Sequence, residues 1–403
     1  MILISEQIYT YFFEMQKKSL FFINPHVFLF AIGRKFGYHF MQDFLSNSLL
    51  FEMIYLPLPR VYLFKIFKLI IDMKNTKNLM LNRRAFLKTS ACLAAGYAAI
   101  YNSNASFTSA QNSSPQLISG SKRPLRIGAS TYFSEEDPDA WAKNAREQRY
   151  RAVYVPRISL KDTDRILAFR KAAEQNDLIF AEAGRWVNLM DADPEKRKSN
   201  LELVTEGLAL ADELNAKCCV DTAGSYDTEV WYGPHPKNVS YEFFDIAVEN
   251  ARKIIDAVNP KRTVFCYEMS GWAIPNSAES YLRLIRAIDR KAFGVHLDVC
   301  NLINTPDKFW NNTRLINETI DLLGNWIVSA HAKDLRWQRE MNIHFVECPL
   351  GEGELDYVTL LNRLSTLPND VPLMVEHMKD HAEYLKCRDY LIKVAAEANV
   401  PLE

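Results

Sequence analysis

From Leu125 onward, short apolar runs rich in β-branched residues alternate with longer stretches whose apolar positions recur at helical spacing. The strand-like runs are LRIGAS (125–130), RAVYVP (151–156), DLIFAEAG (177–184), AKCCVDTAG (216–224), TVFCYEMS (263–270), FGVHLDVCN (293–301), WIVSAHAKD (326–334) and VPLMVEHM (371–378). Between them, segments such as PDAWAKNAREQ, TDRILAFRKAAEQN, NLELVTEGLALADEL, YEFFDIAVENARKIIDAV and AESYLRLIRAIDR carry the stripe of an amphipathic helix. Pro138 and Pro194 stand where a first helical turn tolerates proline, and Asn276 with Glu279 has the spacing of a capping box. Strands that alternate with helices pair in parallel, and eight such units predict an α/β fold, a closed (β/α)8 TIM barrel over 124–403. An open doubly wound sheet fits less well, because no glycine-rich turn follows the first strand.

In such a barrel the chemistry sits where strands end. The last four predicted strands carry Glu268, Asp298, His331 and Glu376 near their ends, each after a mainly apolar run. Three carboxylates and an imidazole brought to one mouth repel and desolvate one another unless a cation joins them. Oxygen-rich ligation with one nitrogen suits a divalent metal, Mn²⁺ as first choice and Mg²⁺, Co²⁺ or Zn²⁺ as alternatives. His296 shares its strand face with Asp298 and lies one layer deeper, behind the metal or against substrate.

The order Glu, Asp, His, Glu on the last four strands, with the strings YEMSGWAIPNSAESYL, GVHLDVCNLINTP, SAHAKD, PLGEGELDY and PLMVEH, resembles the xylose isomerase-like TIM barrel superfamily, in its sugar phosphate isomerase/epimerase branch. The resemblance implies that Glu268, Asp298, His331 and Glu376 are the metal ligands, with Glu268 and Glu376 also moving protons. Where the ketose 3-epimerases of that group carry a histidine, three residues after the ligand Asp298, this chain has Asn301, so a substrate contact differs. The DNA-repair relative endonuclease IV draws histidines from early strands, whereas no histidine lies between His39 and His235 here.

Other groups follow the predicted strand ends. Trp186, Trp231, Trp272 and Trp337 offer rings on which the C–H face of a sugar stacks. Lys333 and Asp334 are candidate contacts to substrate oxygens, as is Glu182 with Arg185 beside it. His235, in WYGPHPKN, is a candidate catalytic base on a loop. Proton removal beside a carbonyl gives an enediolate, which a divalent cation stabilises while a carboxylate on each face takes and returns the proton. Isomerisation or epimerisation of a sugar is the leading expectation. A 3-keto-glycoside lyase, in which the same charge expels a leaving group, is the alternative, and a non-catalytic sugar-binding barrel is a third.

Charge divides the chain. Residues 1–110 hold twelve Lys/Arg against five acids, so with a net charge of −1 overall the remainder carries −8. That acidic body offers no footprint for nucleic acid. The stretch NRRAFLKTSACLAAGYAAIY resembles a twin-arginine export signal, with Arg83 and Arg84 ahead of a short Ala-rich run. We therefore expect 73–110 to be a signal peptide, 111–123 a linker and 1–72 a non-native extension, with a membrane anchor as the alternative for 1–72. The protein is then periplasmic or otherwise exported and meets the membrane only during export. Its expected partner is a small unphosphorylated sugar or glycoside, with self-association into a homo-oligomer as an option. Seven cysteines show no C-x-x-C spacing, which leaves no zinc ribbon or dithiol motif.

Overall fold

The computed structural model describes residues 122–130 and 132–403. The expected extension, the signal peptide and most of the linker lie outside the described residues. Eight strands close into a parallel barrel: β1 (Ile127–Ala129), β2 (Ala152–Tyr154), β3 (Ile179–Gly184), β4 (Cys218–Asp221), β5 (Val264–Glu268), β6 (Phe293–Leu297), β7 (Ile327–Ala332) and β10 (Leu373–Val375). Each falls inside one of the predicted apolar runs. β10 closes the ring by pairing with both β7 and β1. Two further strands, β8 (Asp334–Trp337) and β9 (Phe345–Cys348), form an antiparallel hairpin outside the barrel that hydrophobic periodicity did not predict.

The outer layer comprises α1 (Pro138–Glu147), α2 (Thr163–Gln175), α3 (Pro194–Leu214), α4 (Tyr241–Val258), α5 (Ala278–Ile288), α6 (Pro306–Trp310), α7 (Asn312–Leu323), α8 (Tyr357–Leu364) and α9 (His381–Glu397). Pro138 and Pro194 open α1 and α3, capped by Asp137 and Asp193. At α5 the capping box is one residue later than expected. Ser277 and Ser280 form it, because the short Ser280 hydroxyl turns back and accepts from the Ser277 amide at 3.0 Å. Among the described residues, no helix is long and apolar enough to cross a membrane.

The main core lies between strands and helices. Trp141 of α1, for example, stacks on Phe180 of β3 at 5.9 Å and meets Phe169 of α2 edge-on at 5.2 Å. Burying side chains of this size contributes about 1.5–3 kcal/mol each. Inside the ring, a lower apolar layer includes Ala152, Ala181, Met374, Cys218 and Cys266. Gly128 lets the staves close here, since a Cβ would stand 2.3 Å from the Ala152 carbonyl oxygen.

Two irregularities convert that apolar layer into a polar one above it. Opposite the step from Val153 to Tyr154, β3 advances from Phe180 to Glu182, so Ala181 is an extra residue. Phe180 and Ala183 pack with the outer core and Ala181 with Met374 inside, so Glu182 also turns inward. β7 does the same opposite His296: Val328 is the extra residue, and Ser329 follows it into the interior.

Candidate metal centre

Glu268 is the last residue of β5, Asp298 directly follows β6, His331 is the penultimate residue of β7, and Glu376 directly follows β10. One ligand atom from each lies within 4.8 Å of the others. His331 Nδ1 is 3.0 Å from Glu376 Oε2, 3.4 Å from Glu268 Oε1 and 3.6 Å from Asp298 Oδ2.

The ring of His331 is oriented from behind. Its Nε2 lies 2.9 Å from Glu182 Oε1, and His296 Nε2 lies 2.7 Å from Glu182 Oε2. Burial pushes the Glu182 carboxyl up, but the two imidazoles outweigh it and hold the group well below the usual carboxylate range. An ionised carboxylate only accepts, so both Nε2 atoms donate, and His331 is left with Nδ1 facing the three acids. Glu182 thereby ties β3 to β6 and β7.

The acids demand positive charge. Against the burial that pulls both down, they hold His331 and Lys333 well above their ordinary ranges. Lys333 Nζ lies 2.7 Å from Asp298 Oδ2 and 2.9 Å from Glu376 Oε2, at ion-pair distance. Apart from this ammonium and one another, Asp298 Oδ2, Glu376 Oε2 and His331 Nδ1 are buried without a hydrogen-bond partner. One ammonium does not balance Glu268, Asp298 and Glu376 with Glu182 behind them. Asp298 Oδ2, Glu376 Oε2, Glu268 Oε1 and His331 Nδ1 converge as three oxygens and one ring nitrogen, a set that suits a hard divalent cation.

Glu268 is held by two donors, Trp186 Nε1 to Oε2 at 2.7 Å and Asn301 Nδ2 to Oε1 at 3.0 Å. Asn301 also accepts from Lys333 Nζ at 3.2 Å and donates its amide to Asp298 Oδ1 at 3.2 Å. The backbone beside Trp186 is held by Asp221 at the end of β4, which accepts from the Val187 amide at 2.8 Å.

Several expected roles need correction. Glu182 is fully buried with both oxygens occupied, so it positions His331 and His296 instead of meeting substrate. Arg185 does not pair with it and turns towards Gly207 of α3. Asp334 points away from the cluster and accepts four backbone amides, from Leu335, Gly351, Gly353 and Leu355, so it clamps the GEGELDY loop. Gly351 adopts φ +84° in that loop, where a side chain would also strike the Tyr390 ring. His235 caps a short 3-10 turn through the Lys237 amide and packs beside Tyr226, with no contact to the cluster. Trp231 and Trp272 lie exposed on the loops after β4 and β5. His296, Asn301 and Lys333 do lie in the cluster.

Two residues escaped the sequence reading. His377 places Nε2 3.5 Å from Glu376 Oε1 and Nδ1 2.8 Å from Glu347 Oε2. Its position beside Glu376 was the available signal. Glu347 sits on the unpredicted strand β9 and had none. Trp186, read as one stacking ring among several, is instead a hydrogen-bond donor to Glu268.

The family model described as "Xylose isomerase-like TIM barrel" matches residues 143–394. Among solved structures, a xylose isomerase domain protein from Planctomyces limnophilus is 15% identical, with a TM-score of 0.51 over 69% of this chain and 98% of that one. Endonuclease IV from Thermus thermophilus is 15% identical, with a TM-score of 0.51 over 68% and 99% of the two chains. A D-psicose 3-epimerase crystallised with D-fructose gives the same identity, score and coverage. At this identity these likenesses establish the fold. No curated protein matches the sequence.

Proposed function

The chain belongs to the xylose isomerase-like TIM barrel family, and from that premise we propose that it is a divalent-metal-dependent enzyme of the sugar isomerase/epimerase type. One observation carries the proposal: the buried atoms of Asp298, Glu376 and His331, with no hydrogen-bond partner outside the cluster, converge beside Glu268 at the C-terminal mouth. Glu268, Asp298, His331 and Glu376 would hold the ion, Mn²⁺ or Mg²⁺ by donor type. When bound, such an ion supplies electrostatic stabilisation for the negative charge that develops as a proton leaves a carbon beside a carbonyl.

The chain's own residues supply the rest. Glu268 on β5 and Glu376 after β10 stand apart around the ring, with β6 and β7 between their strands. They are the groups that take the proton from one face of a substrate and return it on the other. Trp186 and Asn301 fix the direction of Glu268 and leave Glu376 beside the Lys333 ammonium. Lys333, with Asn301 against it, is the donor for a substrate oxygen. A sugar substrate accords with the D-psicose 3-epimerase of the same fold.

The test is incubation with Mg²⁺ and a methyl 3-keto-glucoside in D₂O, followed by mass spectrometry and proton NMR. Deuterium beside the carbonyl with the glycosidic bond intact is expected, and Glu376→Gln should abolish it with the fold unchanged. Release of methanol would identify β-elimination instead. Full activity in Glu376→Gln would sink the site assignment.

A further inference from the structure

Three of the seven tryptophans stand well exposed at one end of the barrel. Trp272, Trp310 and Trp337 are 60%, 68% and 49% exposed, and each follows the C-terminal end of a barrel strand, β5, β6 and β7 respectively. Large rings are normally well buried, so three exposed indoles on the face that carries the cluster call for an occupant.

The hairpin shows how two of them connect to the site. In its register Leu335 opposes Glu347 and Trp337 opposes Phe345. Opposed residues share a face, as do residues two apart on a strand, so Leu335, Glu347, Trp337 and Phe345 lie on one side. Glu347 is the inner polar member: it bonds His377 and comes within 4.0 Å of Lys333 Nζ. One step outward, about 7 Å along the strands, stand Trp337 and Phe345. Phe345 lies flat on the buried Phe309 ring of α6, at 4.5 Å and 10°, and Phe309 meets Trp310 at 5.0 Å. An aromatic strip therefore starts one step out from the acid cluster, with Trp337 paired across the strands with Phe345, Phe345 stacked on Phe309, and Trp310 beside Phe309.

We propose that this strip is a subsite for a second ring of the substrate, an aryl aglycone or a further pyranose joined through the glycosidic oxygen to the sugar at the metal centre. The inference rests on the sugar-enzyme reading and narrows it, because the substrate becomes a glycoside and not a free monosaccharide. A flat ring with a C–H or π face fits an open indole beside Phe345 and gains contact without needing hydrogen bonds. A second protein copy fits less well: two indoles offer at most about 150–250 Å² each, short of the ~800 Å² per partner typical of a stable interface.

The test uses the full-length protein with Mg²⁺ and two unreactive probes, methyl and phenyl β-D-glucopyranoside, followed by calorimetry and tryptophan fluorescence. The phenyl probe should bind about tenfold tighter, and Trp337→Ala or Trp310→Ala should erase that advantage while leaving methyl-glucoside binding unchanged. Trp326→Ala, at the opposite end of β7, serves as the control and should change neither. Cellobiose in place of the phenyl probe separates a pyranose preference from an aryl one. Equal wild-type affinities for the methyl, phenyl and cellobiose probes, or variants that weaken all of them alike, overturn the subsite and leave the sugar reading standing. Failure of every probe to bind the wild type removes both. A dimer that dissociates in Trp337→Ala overturns the subsite by assigning the strip to self-association.

Discussion

Glu182 governs the chemistry of His331 without touching what His331 would bind. Its carboxylate fixes which ring nitrogen is protonated, and it shares the load with His296. Glu182→Gln keeps size and shape but offers one acceptor oxygen and an amide donor, so one imidazole loses its partner. Mg²⁺ or Mn²⁺ affinity should fall by about 10–100-fold, read by calorimetric titration, with circular dichroism unchanged. An unaltered affinity would contradict the positioning role. At this scale the sequence was uneven. Glu268, Asp298, His331 and Glu376 were legible because each breaks an apolar run at its end. Glu182 also ended such a run, yet its depth depends on the extra residue Ala181, which no alternation pattern announces.

Among the elements, the β8–β9 hairpin shows how adjacent residues divide their labour. Lys333 reaches into the acid cluster while Asp334 turns outward and gathers four amides of the chain around it. Asp334→Ala would leave those amides to find water or go without. Since each buried donor that stays unpaired costs about 1–3 kcal/mol, a loss of about 2–4 kcal/mol is expected, read from the urea midpoint. Asp334→Asn, which retains one oxygen, should lose less, and equal loss in the two variants would contradict the clamp. The eight staves were legible because buried parallel strands leave continuous apolar runs. The hairpin was not, because its outer face is half exposed and RWQREMNIHF lacks a clean alternation.

For the whole molecule, an ion held by residues from four barrel strands or their ends should brace the closed ring. At a free concentration one hundred times the dissociation constant, binding adds about 2.7 kcal/mol. For a domain of this size that corresponds to a rise of roughly 5–10 °C in the melting temperature. Differential scanning fluorimetry with Mn²⁺, then with excess chelator, checks this, and an unchanged melting curve would argue against a resident ion. Export remains our proposal from the leader alone: replacing Arg83 and Arg84 together with lysine should retain the protein in the cytoplasm, as followed by cell fractionation.

The extra residues in β3 and β7 each turn two successive side chains of one strand to the inner face. Ala181 contributes a methyl group, and many small residues would serve in its place. Deleting it would leave Phe180 opposite Val153 and Glu182 opposite Tyr154 by plain alternation, with the carboxylate still facing inward; what would go is the local bend of the strand and the inward methyl packed on Met374. Position 181 thus matters as a bend and not as a chemistry. A lineage can rewrite this position letter by letter, because the small residue there sets the curvature of the strand beneath Glu182 and not the direction in which the carboxylate faces.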